Sequence, residues 1–176
     1  MEGVARYKVK LAPHCKGWAA EYQAVKALLT PLLGENLLDI QHVGSTAIAG
    51  IDAKPILDVA VQVQSLAAID QDAMLRAGYD PCGESGVPGR FLFVRRGDGP
   101  LSLSLEHIQC YAAGHPAFDA HVAFRDYLNT HPQAAQQYCA LKRQLAAQYP
   151  DDRSRYTAGK ADFIQAILKL AGQKAR

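Results

Sequence analysis

One carboxylate lies inside a β-branched apolar run, Ile56-Leu57-Asp58-Val59-Ala60-Val61-Gln62-Val63, and it limits the possible folds more than any other feature of the chain. Strand alternation puts Val59, Val61 and Val63 on one face and Asp58, Ala60 and Gln62 on the other. An ionised carboxylate under a covered sheet is costly unless it is paired or holds a cation. The face carrying Asp58 must therefore be open, paired or functional. Pairing with Lys54, an arginine or a backbone amide is the purely structural solution.

The neighbouring segments supply a scaffold for that strand. Trp18, Tyr22, Val25, Leu29 and Leu32 recur at helical spacing between Pro13 and Leu33, with Pro31 and Gly34 closing the segment. Residues 36–43 alternate as a strand, with Leu38, Ile40 and His42 on one side and Asp39, Gln41 and Val43 on the other. A helix is expected from Ser65, as N-cap, to just before Gly78. The stretch "DPCGESGVPG" reads as a loop, and "RFLFVRR", "GDGP" and "LSLSLEHIQCY" as a β-hairpin. From Pro116 to Leu170 the chain reads as three helices, broken at Asn129 to Pro132 and Gln148 to Asp152. Strands come first and helices last, which predicts an α+β fold: a small mixed sheet in residues 1–114 with a helical part, 115–176, packed on it as one compact domain. Trp18, Tyr22 and Phe163 read as core.

Composition narrows the function. The 176 residues are 49% hydrophobic and 20% charged, the balance of one globular domain. A net charge of +2 with scattered Lys and Arg excludes an extended nucleic-acid footprint but leaves room for a small anionic ligand. Cys15, Cys82, Cys110 and Cys139 form no CxxC and no zinc spacing, so free thiols in a reducing, cytoplasmic setting are expected. No apolar run approaches the roughly 18 residues of a membrane span.

Gly44-Ser45 follows the first strand. Glycine allows close backbone approach, and free N–H groups with a serine hydroxyl suit a phosphate, although the pair alone also describes a plain turn. An apolar-Gly-Ser step, about a dozen residues, then Asp-apolar-x-apolar resembles the nucleotidyltransferase superfamily of the DNA polymerase beta type. The resemblance implies that Gly44 and Ser45 hold a nucleotide phosphate and that Asp58 holds Mg²⁺ for in-line transfer. Ala60 stands where the superfamily's second carboxylate usually stands. Glu106 is the expected acidic partner on a neighbouring strand; a register shifted by one residue would present His107 instead.

Four segments, "HVGSTAIAGIDAKPILDVAVQV", "AFRDYLNTHP", "YCALKRQLA" and "YTAGKADFI", identify the chain as a member of the GrpB family from about Pro13 to Leu170. Membership implies a nucleotidyltransferase-like fold and, through fusions to dephospho-CoA kinase in some bacteria, a link to coenzyme A metabolism. A single Asp after Lys-Pro is usual in the family. Its His-Leu-His strand motif reads His107-Ile108-Gln109 here, which removes one of two imidazoles.

Further residues could contact ligand charge. His42 precedes the Gly-Ser turn, Lys54 lies near Asp58, and Arg90 opens a strand after the Gly-rich loop. Arg125 shares a helical face with Phe118 and Leu128. Tyr156 and Lys160 either share a face of one helix or flank an N-cap at Thr157. Each also has an ordinary structural reading as a surface or hydrogen-bonded residue. Three functions follow: an Mg²⁺-dependent protein that binds a nucleotide or transfers a nucleotidyl group; a non-catalytic ligand-binding or interaction domain with a degenerate metal site, as Ala60 suggests; or a protein acting on another small phosphorylated or carboxylated molecule, with His107 as acid or base.

Overall fold

The computed structural model describes residues 1–5, 8–98 and 103–172. Five strands form one mixed sheet in the order β1-β2-β5-β4-β3. They are β1 (Leu37–Val43), β2 (Leu57–Val63), β3 (Tyr79–Pro81), β4 (Arg90–Arg96) and β5 (Ser104–Ala112). β2 and β5 run parallel; every other neighbouring pair is antiparallel. A parallel pair needs a long crossover, and here β3, β4 and a short helix supply it.

Helices cover both faces of the sheet. On one face, Val25, Leu29 and Leu33 of α1 (Gly17–Leu33) and Met74 of α2 (Gln71–Arg76) pack on Val59, Val61, Val63 and Ile108. On the other, Ala117 and Phe118 of α3 (Pro116–Thr130) pack on Val43, Ala60 and Tyr111. Three more helices follow: α4 (Pro132–Gln148), α5 (Arg153–Ala158) and α6 (Ala161–Leu170). Phe124, Leu128, Tyr138 and Ile167 from these helices and α3 bury Ile48 and Ile51 of the β1–β2 connection. The mixed α+β class expected from the sequence is the one observed. Among the described residues no helix is long and apolar enough to cross a membrane.

Local departures have local causes. The helix expected from Ser65 is split. Residues Leu66–Ala68 form a 3-10 turn, and α2 starts only after Asp70, whose carboxylate accepts a hydrogen bond from the Ala73 N–H at 2.8 Å. Asp70 is the better cap because its side chain satisfies an orphan N–H, which Ser65 does not. Leu38 is 48% exposed because the β1–β2 register shifts between Leu37 and Asp39, breaking the alternation. Tyr79–Pro81, partly read as loop, pairs with β4 as an edge strand. β4 and β5 pair as the expected hairpin; Gly99 and Pro100 of its turn lie outside the described residues. All four cysteines are free.

Glu106 belongs to the α1 face. In the parallel register it stands beside Leu57, while His107 stands beside Asp58. Glu106 is 4% exposed, accepts from the Tyr79 hydroxyl at 2.7 Å and pairs with Arg95 Nη2 at 2.7 Å. Burial, then the Glu106 carboxylate, pushes the Tyr79 phenol far above its ordinary pKa, so it stays a donor. Tyr79→Phe should therefore cost about 1–3 kcal/mol by stripping a buried carboxylate of a donor. Leu38→Ala on the exposed bulge should stay within about 0.5 kcal/mol. Urea unfolding of the two variants checks the contrast.

Candidate functional site

β1 ends at Val43, directly opposite Asp58 in the sheet. The chain then turns at Gly44, φ +69°, into a single 3-10 turn, Ser45–Ala47. A Cβ added at Gly44 would stand 2.7 Å from Asp58 Oδ2. Glycine is required here twice over, by the left-handed backbone and by the approach of the carboxylate. Asp58 Oδ1 lies 3.1 Å from His107 Nδ1, the pairing set by the β2–β5 register. Burial opposes ionisation of Asp58, but the hydrogen bond and charge of His107, with Lys54 and His121, hold its pKa below the usual carboxylate range.

This pair opens into a cleft of about 750 Å³, within the range of small-molecule sites. His107, Gln109 and Tyr111 of β5 line it along the sheet, and α3 forms one wall. Arg153, Tyr156, Lys160, Ile164 and Leu168, from α5, α6 and the two-residue link between them, form the other. Among the described residues, four basic side chains, Lys54, Arg90, Arg153 and Lys160, line the cleft against one carboxylate, Asp58. Lys160 is the N-cap residue of α6 rather than a member of one helix with Tyr156, yet its ammonium lies 4.7 Å from the Tyr156 ring centre. Lys54 lies 5.4 Å from the same ring. Burial, reinforced by neighbouring cations, pulls Lys54 down to about 7 and Lys160 down to about 8. An anion placed between them would restore both charges.

The structure brings together Gly44, Ser45, Lys54, Asp58, Arg90, His107, Tyr156 and Lys160 at one cleft. Three expected residues lie elsewhere. Glu106 faces the opposite layer. Arg125 is consumed by structure, donating to Gln41 Oε1 at 2.9 Å and to the His42 carbonyl at 2.7 Å, with Asp126 also at 2.7 Å. It ties α3 to β1 instead of meeting a ligand. His42 stacks on Tyr22 at 5.1 Å, and its Nε2 lies 2.9 Å from Thr46 Oγ1, so it braces the Gly-Ser turn from behind.

Gln109, Tyr111, His121, Tyr138 and Arg153 are lining residues that the sequence did not single out as ligand contacts. Tyr138 sits at core spacing on α4, 4% exposed. Burial takes its phenol up to about 12. Only Gln109 carried a signal, as the departure from a His-Leu-His strand.

The donor set does not fit a resident magnesium site. Glu106 is turned away, Asp58 is the lone carboxylate of the cleft among the described residues, and lysines stand beside it. Among the described residues no three His, Cys, Asp or Glu side chains gather as ligands for a metal.

A family model described as GrpB protein matches residues 8–170. A solved structure, described as conserved protein GrpB from Enterococcus faecalis, superposes with a TM-score of 0.83 at 33% identity, covering 92% of this chain and 96% of that one. UPF0157 protein YqkA of Bacillus subtilis is 39% identical over 93% of this chain and 47% of its own length. A dephospho-CoA kinase of Mycolicibacterium paratuberculosis is 29% identical over 96% of this chain and 47% of its own. The chain thus spans about half the length of these two relatives.

Two tests follow from the geometry. Gly44→Ala should destabilise more than Gly50→Ala. Both glycines have φ near +70°, but only at Gly44 does the new Cβ meet another residue; a left-handed alanine alone costs about 1–2 kcal/mol. The second concerns His42, which burial brings down to about 4 from its ordinary 6.5. The unfolded imidazole takes its proton first, so stability is full above pH 6.5 and falls as pH drops towards 4, by about 3 kcal/mol. His42→Gln should flatten that part of the curve, read by urea unfolding across pH 4 to 7.

Proposed function

This chain belongs to the GrpB family, and from its cleft we propose that it binds a phosphorylated small molecule of the nucleotide class. The carrying observation is the charge imbalance: among the described residues, four basic side chains and one carboxylate surround a cleft of nucleotide size. Two of the cations, Lys54 and Lys160, are partly discharged by burial. A phosphate monoester carries nearly two negative charges at neutral pH, so it suits this environment better than a neutral ligand. In this reading Lys54 and Lys160 flank the phosphate, Ser45 offers its hydroxyl, and Arg90 and Arg153 close the rim. The kinship to a dephospho-CoA kinase supports including coenzyme A precursors in the class.

Asp58 and His107 form the proton-handling pair of the proposal. The carboxylate holds Nδ1 of the ring, which fixes the orientation and tautomer of the imidazole. Any magnesium would enter as the counter-ion of a polyphosphate ligand, with Asp58 as its one protein carboxylate. Without such an ion, Asp58 repels the phosphate.

Calorimetric titration with AMP, ATP with and without Mg²⁺, dephospho-CoA and coenzyme A tests the reading. At least one should bind, and Lys160→Ala should weaken it about tenfold or more. Failure of all of them to bind the folded wild type would overturn the proposal. Asp58→Asn should preserve or improve metal-free affinity; a loss confined to the Mg²⁺ titrations would identify Asp58 as the ion's ligand. Affinity for AMP should fall as pH rises from 7 to 9. The phosphate is already doubly charged there, with its second pKa near 6, while Lys54 and Lys160 lose the protons that binding requires. Lys54→Ala should make that pH dependence shallower.

A further inference from the structure

Gln109 lies two residues beyond His107 on β5, about 6.6 Å further along the same face. Its side chain is polar yet only 8% exposed. Oε1 is doubly engaged, accepting from Arg90 Nη1 at 3.0 Å and from the Tyr111 hydroxyl at 3.3 Å. Arginine has no acceptor atom, so the atom facing Arg90 must be the amide oxygen, and the flipped amide is excluded. Arg90 is itself immobilised by the carbonyls of Glu84 and Ser85, at 3.1 and 3.0 Å from Nη2. Nε2, at the other end of the amide, has no hydrogen-bond partner among the described residues, and Gln109 lines the cleft. Nε2 brings two N–H donors, held in a fixed orientation and without an acceptor among the described residues.

Apolar side chains also line the cleft. Ala117, Ala120 and Phe124 line it from α3, and Ile164 and Leu168 from α6. Apolar walls suit a flat ring, and a donor open to the cleft that a ligand would cover discriminates by leaving an unpaired N–H against any ring without an acceptor. We propose that Gln109 is the specificity-determining donor of the cleft, reading a carbonyl oxygen or ring nitrogen on the base of a bound nucleotide, with Arg90 as the residue that positions its amide. This rests on the phosphate-binding reading above and adds to it which end of the ligand the β5 face recognises.

The test compares ligands that share a phosphate and sugar but differ in the base. Ribose 5-phosphate, UMP, CMP, AMP and GMP are titrated calorimetrically into the wild type, Gln109→Met, Gln109→Glu and Lys160→Ala, each first checked for a cooperative thermal transition. In the wild type at least one nucleotide should bind tenfold or more tightly than ribose 5-phosphate. Gln109→Met should bring that ratio close to one while leaving ribose 5-phosphate within about twofold. Gln109→Glu keeps acceptors for Arg90 and Tyr111 but removes the donors, so the ratio should collapse there too, and it serves if the methionine variant does not fold. Lys160→Ala should weaken all five ligands together. If nucleotides keep their advantage in both Gln109 variants while Lys160→Ala still weakens every ligand, the Gln109 assignment falls and the phosphate site stands. If none of the five binds the folded wild type, the phosphate reading falls and takes this assignment with it.

Discussion

The parallel pairing of β2 with β5 is the constraint on which the site depends. Its register sets Asp58 beside His107 and Leu57 beside Glu106, so adjacent acidic and imidazole side chains on β5 go to opposite layers of the molecule. One layer is apolar and closes over Glu106, which Tyr79 and Arg95 satisfy. The other is the open layer, where Asp58 meets His107 and the Gly44 turn. Moving the register by one residue would bury an imidazole against α1 and turn Glu106 towards Asp58. The chemistry available to the cleft is thus a consequence of strand pairing before it is a consequence of any single side chain.

The open layer stays open because of its surroundings. Ala60 follows Asp58 on the same face and is fully buried against α3, so the sheet is covered immediately beyond the carboxylate. Arg125 fixes α3 to β1 through the His42 carbonyl, which sets where that cover ends. On the far side Lys142 holds the Asp52 carbonyl and lies 4.8 Å from the Tyr138 ring, tying α4 to the segment that carries Lys54. Arg125 and Lys142 are therefore braces between the elements that wall the cleft. Burial lowers the pKa of Lys142 as it does those of Lys54 and Lys160, but Lys142 already donates to a protein carbonyl.

Much of this was legible beforehand, for identifiable reasons. The α+β order, β1, β2, the β4–β5 hairpin and the breaks before α4 and α5 follow from hydrophobic period and from Gly and Pro placement, which are local properties; the split between α5 and α6 makes four C-terminal helices where three were expected. Gly44, Ser45, Lys54 and Asp58 were legible because they lie within one short stretch around a turn. Arg90, His107, Tyr156 and Lys160 were read as candidates, but their convergence depends on β5, the loop before β4 and the α5–α6 corner meeting in space. Arg153, Tyr138 and Gln109 carried little or no ligand signal, since a helix-start arginine, a core-spaced tyrosine and a strand glutamine have ordinary structural uses.

By itself the sequence determined that Asp58 would sit on a strand face needing compensation, that Gly44 would mark a close backbone approach, and that the chain belongs with the GrpB family. The tertiary structure alone decided that His107 rather than Glu106 is the partner of Asp58. Alternation says that neighbouring residues face opposite ways; only the pairing with β2 says which way each one faces. It also decided that protein atoms already engage Arg125 and His42. A polar side chain's role depends on whether protein atoms already satisfy it, and those atoms come from elements up to 84 residues away.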